Sequence, residues 1–362
     1  MSSNYSIAVF SGDGIGPEIM TPTLAILSVL ATQSNAYSLK FTELPAGANH
    51  YAKTQESLPA SSLAAAKEMD AILLSAMGLP TIRYEDGTEI SPQIELRKAL
   101  DLFAGVRPVR FFKGQNTPLQ LDEDHDYVDI VLIRESTEGL FYSQGKGEVT
   151  ADEATETLKI TRATSEKLFK FAFALAKTRQ QKKQGLGKVT CVDKANVFRA
   201  FAFFREIFDA ESKKHPSIEA DHAYVDATAL WMVQKPWVFD VMVTENMFGD
   251  ILSDLGAGLM GGLGLAPSAD IGEHYALFQP CHGSAPDIAG KDCANPFAMI
   301  LSAAMMLDWL GEKHSNSSLI DDSKRLQDAV NTVVQQGKFT TQDIGGDSST
   351  TEAANAVLQL LG

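Results

Sequence analysis

The feature that most narrows the fold is a repeated pairing of a short apolar segment with a helical one. Residues 6–10 (SIAVF) have strand length and composition. They end in Ser11-Gly12-Asp13-Gly14-Ile15-Gly16, and Pro17 then sits where a helix begins and its missing N–H costs nothing. The unit recurs. Strand-like segments at 38–44, 71–75, 107–111, 129–133, 188–192 and 239–244 alternate with helical periodicity at 61–69, 94–103, 165–179, 227–234 and 298–310. Such alternation predicts an α/β fold. The glycines of the first turn do not follow the G-x-G-x-x-G spacing of a Rossmann phosphate loop, so a tight strand-to-helix turn is expected there.

Composition excludes several partners. A formal net charge of −15 argues against nucleic acid and against anionic membrane. An anionic small substrate stays possible, because it needs only a local group of arginines. Cys191, Cys281 and Cys293 show neither metal-ligand nor disulfide spacing, which fits a reducing, cytoplasmic setting. The first residues lack a signal-peptide pattern, and no apolar run is long enough for a bilayer.

Several residues are candidates for chemistry. In residues 244–272, Asp250 and Asp254 stand four apart in a helical, largely apolar context. One turn of helix places both carboxylates on one face, where they form either a site for a hard cation such as Mg²⁺ or Mn²⁺ or a pair of surface acids. A glycine-rich run from Gly256 to Gly264 follows and is expected to break the helix. Arg97, Arg107 and Arg134 lie near strand or helix ends and are either carboxylate-binding forks or unrelated surface arginines. Lys194 follows a strand and is either a proton acceptor or a solvated loop lysine. Asp226, at a helix entry, suits an N-cap as well as a metal ligand. Residues 282–290 (HGSAPDIAG) form a glycine-bounded loop able to cradle phosphate or ribose. Within it, Asp287 would accept from ribose hydroxyls and repel a 2′-phosphate, favouring NAD over NADP.

Together the segments GDGIGPE (12–18), LRKALDLFAGVRP (96–108), RESTEG (134–139), VDKANV (192–197), YVDA (224–227), residues 244–272, HGSAPDIAGK (282–291) and ANP (294–296) strongly resemble the β-decarboxylating dehydrogenases. This family comprises the isocitrate, 3-isopropylmalate, tartrate/D-malate and homoisocitrate dehydrogenases. The resemblance implies a two-lobed α/β fold with a non-Rossmann cofactor site. Residues 1–103 and 263–362 would form the cofactor lobe, and residues 104–262 the substrate, metal and dimerisation lobe. It implies an obligate homodimer in which Lys194 and Asp226 serve the partner's site. Asp226, Asp250 and Asp254 would hold Mg²⁺ or Mn²⁺. Arg97, Arg107 and Arg134 would hold substrate carboxylates, and Lys194 would act as the base. Ile15, His282, Gly283, Ser284, Ala285, Asp287, Ile288 and Asn295 would contact NAD. The implied reaction oxidises a 2-hydroxy-3-carboxy acid and removes its β-carboxylate.

The sequence departs from the family pattern in places. Phe141 stands where a tyrosine acid is expected, and the adjacent Tyr142 is the candidate to replace it. Gln279 stands where relatives usually carry glutamate, which is expected to remove a negative charge near the cofactor. Gln93 and Ile94, just before the LRK arginine, give a substrate pocket of mixed polarity. A 3-isopropylmalate-like substrate is placed first, with isocitrate, homoisocitrate and tartrate/D-malate as alternatives. A catalytically weak regulatory subunit is the non-enzymatic alternative, motivated by Phe141.

Overall fold

A computed structural model describes residues 3–362. Ten strands form one mixed sheet. In chain order they begin with β1 (Ser3–Phe10), β2 (Tyr37–Glu43), β3 (Ala71–Leu74), β4 (Ala104–Phe112) and β5 (Tyr127–Glu135). After a small hairpin of β6 (Glu148–Val149) and β7 (Ala154–Thr155) come β8 (Lys188–Asp193), β9 (Glu219–Tyr224), β10 (Val241–Thr244), β11 (Pro267–Ile271) and β12 (Ala276–Pro280). The sheet order is β2-β1-β3-β12-β11-β4-β5-β10-β8-β9. Pairing is parallel toward both edges and antiparallel across β12, β11, β4 and β5. The central strands are largely apolar, as burial on both faces requires, and Arg107, Arg134, Asp270 and Gln279 are buried polar exceptions.

The helices are α1 (Gly16–Ser34), α2 (Ala48–Thr54), α3 (Ala60–Lys67), α4 (Pro92–Ala99), α5 (Arg162–Gln181), α6 (Arg199–Ser212), α7 (Val225–Gln234), α8 (Asn246–Met260), α9 (Phe297–His314), α10 (Ser317–Gln336) and α11 (Thr350–Leu361). The α/β class is as the alternation predicts. The sequence reading omits α2, the β6–β7 hairpin, α10 and β11. The stripe of α10 is nevertheless legible, with Leu319, Leu326, Val330 and Val333 buried at helical spacing.

The glycine-rich run does not break α8 where expected. Gly256 and Gly258 are helical, and the helix ends only at Gly261, whose φ of +110° suits glycine. Gly256 serves close packing instead: a Cβ there would lie 2.5 Å from Val109 Cγ2 on β4. α8 is thereby seated directly on β4 and β5.

Candidate active site

Strand register gathers the arginines. Arg134 lies opposite Gly105, and Gly105 lies opposite Asp270 on β11. Paired residues share a face, so these positions share one with Arg107, two residues along β4. Gln279 reaches the same face from β12, where it pairs with Ser268. Arg97 arrives from α4. The three arginines expose only 6%, 5% and 5% of their surfaces. They line a cleft of about 260 Å³ with Ser75, Met77, Gln93, Ile94, Phe141, Asp250, Cys281 and His282. A larger groove of about 440 Å³ lies on the opposite face, where Val106 and Pro108 alternate with Arg107. That groove is mainly apolar, with Arg110, Arg179, Lys182, Asp308 and Glu312 among its lining residues, whereas Arg97, Arg107 and Arg134 converge in the smaller cleft.

Each arginine is held by one edge. Arg97 Nε donates to Asp270 Oδ2 at 3.0 Å. Arg107 Nη1 lies 3.1 Å from Cys281 Sγ, and its Nε is buried with no acceptor. Arg134 Nη2 donates to Asn246 Oδ1 at 2.8 Å, and its Nη1 donates to Asp250. Burial, reinforced by Arg97, lowers the Arg134 guanidinium to about 10. Buried guanidinium donors without full complements of acceptors are suited to a bound carboxylate. The amide oxygen of Gln93 is likewise buried and unpartnered.

Asp250 and Asp254 lie on α8 beside this cluster. The helix is N-capped by Glu245, which accepts from Phe248 N at 2.8 Å. Burial, and then repulsion from Asp250, holds the Asp254 carboxyl above the usual carboxylate range. Asp226 does not join them within the chain. It begins α7 and accepts from Lys194 Nζ at 2.6 Å, which lowers its own titration. Among the described residues no group of three or more His, Cys, Asp or Glu side chains forms a metal set. The loop of Lys194 is fixed by Asp193, which takes Arg205 bidentately at 2.8 and 2.7 Å and caps Ala195 N at 2.8 Å.

Phe141, not Tyr142, faces the cleft. Its ring lies against Arg134 and Lys98. The short turn Leu140–Tyr142 sends Tyr142 outward, where its ring sits 4.5 Å from Lys159 Nζ and 5.6 Å from Lys146 Nζ.

The 282–290 loop is stapled to the first turn of the chain. Ile15 N donates to Ser284 O at 2.8 Å. Gly14, with φ of +58°, has no room for a side chain, since a Cβ would lie 2.0 Å from Ser284 O. Glu18 accepts from Gly290, Cys293 and Ala294 N at 2.9, 3.1 and 3.1 Å. Asp13 accepts from Ala48, Asn49 and Gly78 N at 2.7, 2.9 and 2.9 Å, so the tight turn expected at 12–16 is what forms. Ala285 keeps a left-handed φ of +37°, a strain that surrounding contacts must over-determine. Asp287 is exposed, as are Gly283 and Gly290, while Ile288 is half-buried. Burial depresses the basicity of His282, whose Nε2 has no partner. Asn295 is tied down by Phe297 N and Asp343, at 2.9 and 3.0 Å.

Sequence reasoning overlooked Cys281 in the cleft, Asp270 and Asn246 against its arginines, Glu18 behind the loop, and Asp13 in the first turn. Asp270 and Glu18 both lie inside segments that carry the resemblance, but neither has a spacing that marks it. Gln279, where a loss of negative charge is expected, lies beside a buried carboxylate: its amide donates to Asp270 Oδ2 at 2.8 Å.

The family model for isocitrate/isopropylmalate dehydrogenase matches residues 6–357. The 3-isopropylmalate/3-methylmalate dehydrogenase of Methanocaldococcus jannaschii is 41% identical over 355 residues, covering 98% of each chain. The homoisocitrate dehydrogenase of the same organism is 41% identical over 361 residues, covering 98% of this chain and 97% of its own. The crystal structure of isocitrate dehydrogenase from Methylococcus capsulatus superposes with a TM-score of 0.83 at 35% identity, covering 99% of both chains. Near-complete coverage means that the arginine cleft, α8 and the stapled loop all fall within the matched region. The chain therefore belongs to the isocitrate/isopropylmalate dehydrogenase family of decarboxylating hydroxyacid dehydrogenases.

Proposed function

We propose that this protein catalyses the NAD- and divalent-metal-dependent oxidative decarboxylation of a 3-substituted malate to a 2-oxo acid and CO₂. The observation that carries this reading is the convergence of three buried arginines on a cleft edged by the α8 carboxylate Asp250. A 3-isopropylmalate-like substrate stands first, since relatives of about this similarity bear that name and Ile94 lines the cleft. Isocitrate, homoisocitrate and tartrate/D-malate are the alternatives, and the unpartnered Gln93 amide suits their polar groups.

The residues fit the implied groups. Asp250 and Asp254 offer only oxygen donors, and their mutual repulsion is what a divalent ion relieves. Asp226 of a second copy would complete the set. His282, Gly283, Ser284, Ala285, Asp287 and Ile288, with Ile15 and Asn295 beside them, would hold NAD. When bound, the ion would supply Lewis acidity and NAD would supply the hydride acceptor. Arg97, Arg107 and Arg134 bind and orient the substrate carboxylates. Lys194 of a second copy takes the hydroxyl proton, directly or through water. Phe141 carries no exchangeable proton, so the hydrogen that ends at C3 comes from another acid; Tyr142 reaches the cleft only if its turn rearranges.

A homodimer suits the surface. Phe198, Leu230, Val233, Met247 and Ile251 are exposed apolar residues on α7, on α8 and just before α6. Covering them with a second copy buries apolar area and brings Lys194 and Asp226 to another chain's cleft. Residues 1–103 with 263–362, and 104–262, are proposed as its two lobes.

Phe141 also favours a second reading, a regulatory subunit of a heteromeric isocitrate dehydrogenase. The retained arginines, aspartates and Lys194 speak for the enzyme. NADH formation by purified protein with Mn²⁺ and a panel of 2-hydroxy-3-carboxy acids decides between them. Turnover with no acid of the panel would refute the enzymatic reading.

A further inference from the structure

The arginine cleft contains one anion that no substrate could reach. Asp270 on β11 is completely buried. Its Oδ2 accepts from Arg97 Nε at 3.0 Å and from Gln279 Nε2 at 2.8 Å, and its Oδ1 from Ser136 Oγ at 3.2 Å. Gly105 faces it across the β4–β11 pair. A Cβ at that glycine would lie 2.6 Å from Ser136 Oγ and 3.2 Å from Asp270 Oδ1, so this chamber exists only because residue 105 has no side chain.

We propose that Asp270 is the fixed counter-ion that orders the arginine cluster for carboxylate binding, a positioning residue that acts through Arg97. This rests on the reading of the cleft as a hydroxy-acid site. Three guanidiniums brought together out of water repel one another. A carboxylate at their base offsets that repulsion whether or not substrate is present. Burial alone would raise the Asp270 carboxyl, but Arg97, Arg107 and Arg134 outweigh it and hold it below the usual range, so the anion persists at neutral pH. The contact is directional as well. Arg97 spends its Nε edge on Asp270, and its terminal nitrogens have no acceptor among the described residues. They are thus aimed and free for a carboxylate in the cleft. Gln279 completes the design. As an amide it donates to Asp270, whereas a carboxylate in its place would set two anions in contact.

The test is a charge transfer between adjacent strands. Asp270→Asn, Gln279→Glu and the double variant are compared with wild type for kcat, for the KM of hydroxy acid and NAD separately, and for melting temperature. Asp270→Asn should raise the hydroxy-acid KM about tenfold or more and leave the NAD KM within twofold. Gln279→Glu alone should also raise the hydroxy-acid KM. The double variant returns one carboxylate to the chamber and should bring that KM back to within about threefold of wild type. A merely structural role would lower the melting temperature and shift both KM values together. The proposal is overturned if Asp270→Asn binds the hydroxy acid as wild type does, or if the double variant recovers nothing. Should Asp270→Asn fail to fold, the folded double variant decides: a hydroxy-acid KM raised more than tenfold overturns the proposal. A failure of the underlying reading looks different, because wild type itself would then oxidise none of the acids.

Discussion

Gly249→Ala on α8 tests whether the arginine cleft depends on close packing beneath it. A helical glycine replaced by alanine ordinarily gains about 1 kcal/mol of helix propensity. Here the new Cβ would lie 2.6 Å from Arg134 Cγ, 2.7 Å from its Cβ and 3.1 Å from its Cα. The last of these is backbone of β5, so the side chain cannot simply rotate away. Overpacking of this kind costs about 1–3 kcal/mol. The net expectation is a loss of up to about 2 kcal/mol, read as a drop of a few degrees in melting temperature. The functional effect should be larger. Arg134 must move by roughly 1 Å to restore ordinary contact, and a misplacement of that size costs about 10²-fold in rate. Gly258 is the control, for it lies on the same helix and a Cβ there would meet nothing within 4 Å. Melting curves and kcat/KM for the hydroxy acid, followed by NADH absorbance, measure both effects. If Gly249→Ala keeps kcat/KM within twofold of wild type while Gly258→Ala behaves the same, the packing argument is refuted.

Three further outcomes bear on metal and cofactor. Asp250→Asn should abolish metal-dependent turnover and weaken Mn²⁺ binding at least tenfold in a spin-resonance titration; intact binding would place the metal elsewhere. In wild type the same titration should weaken as pH falls. Asp254 is held above the ordinary range by burial and by Asp250, so protons compete with the metal at a higher pH than at an isolated aspartate, and the affinity should recover as pH rises. Asp287→Lys should weaken NAD and improve NADP, because a cation replaces a carboxylate on the exposed part of the loop. An unchanged preference in steady-state kinetics would show that the ribose lies elsewhere.

The sequence by itself determined the fold class, the family and most of the candidate site residues. Local chemistry was sufficient for these: strands of apolar residues, Pro17 at a helix start, and segments whose residue types and order are specific when taken together. Even the mixed character of the cleft was visible in Gln93, Ile94 and the three arginines. The sequence did not determine which side chains meet. Asp270 looks like any acid near a strand end until β11 pairs antiparallel with both β4 and β12, which sets it among residues up to 173 positions away. Gly249 and Gly256 look unfavourable in a helix until α8 is pressed against Arg134 and Val109, where lack of a side chain is what packing demands. Phe141 and Tyr142 are neighbours in the chain, and only the turn at 140–142 decides which ring faces the arginines. In each case the deciding quantity is a distance across the sheet or against a helix, and residue spacing along a chain carries no information about it.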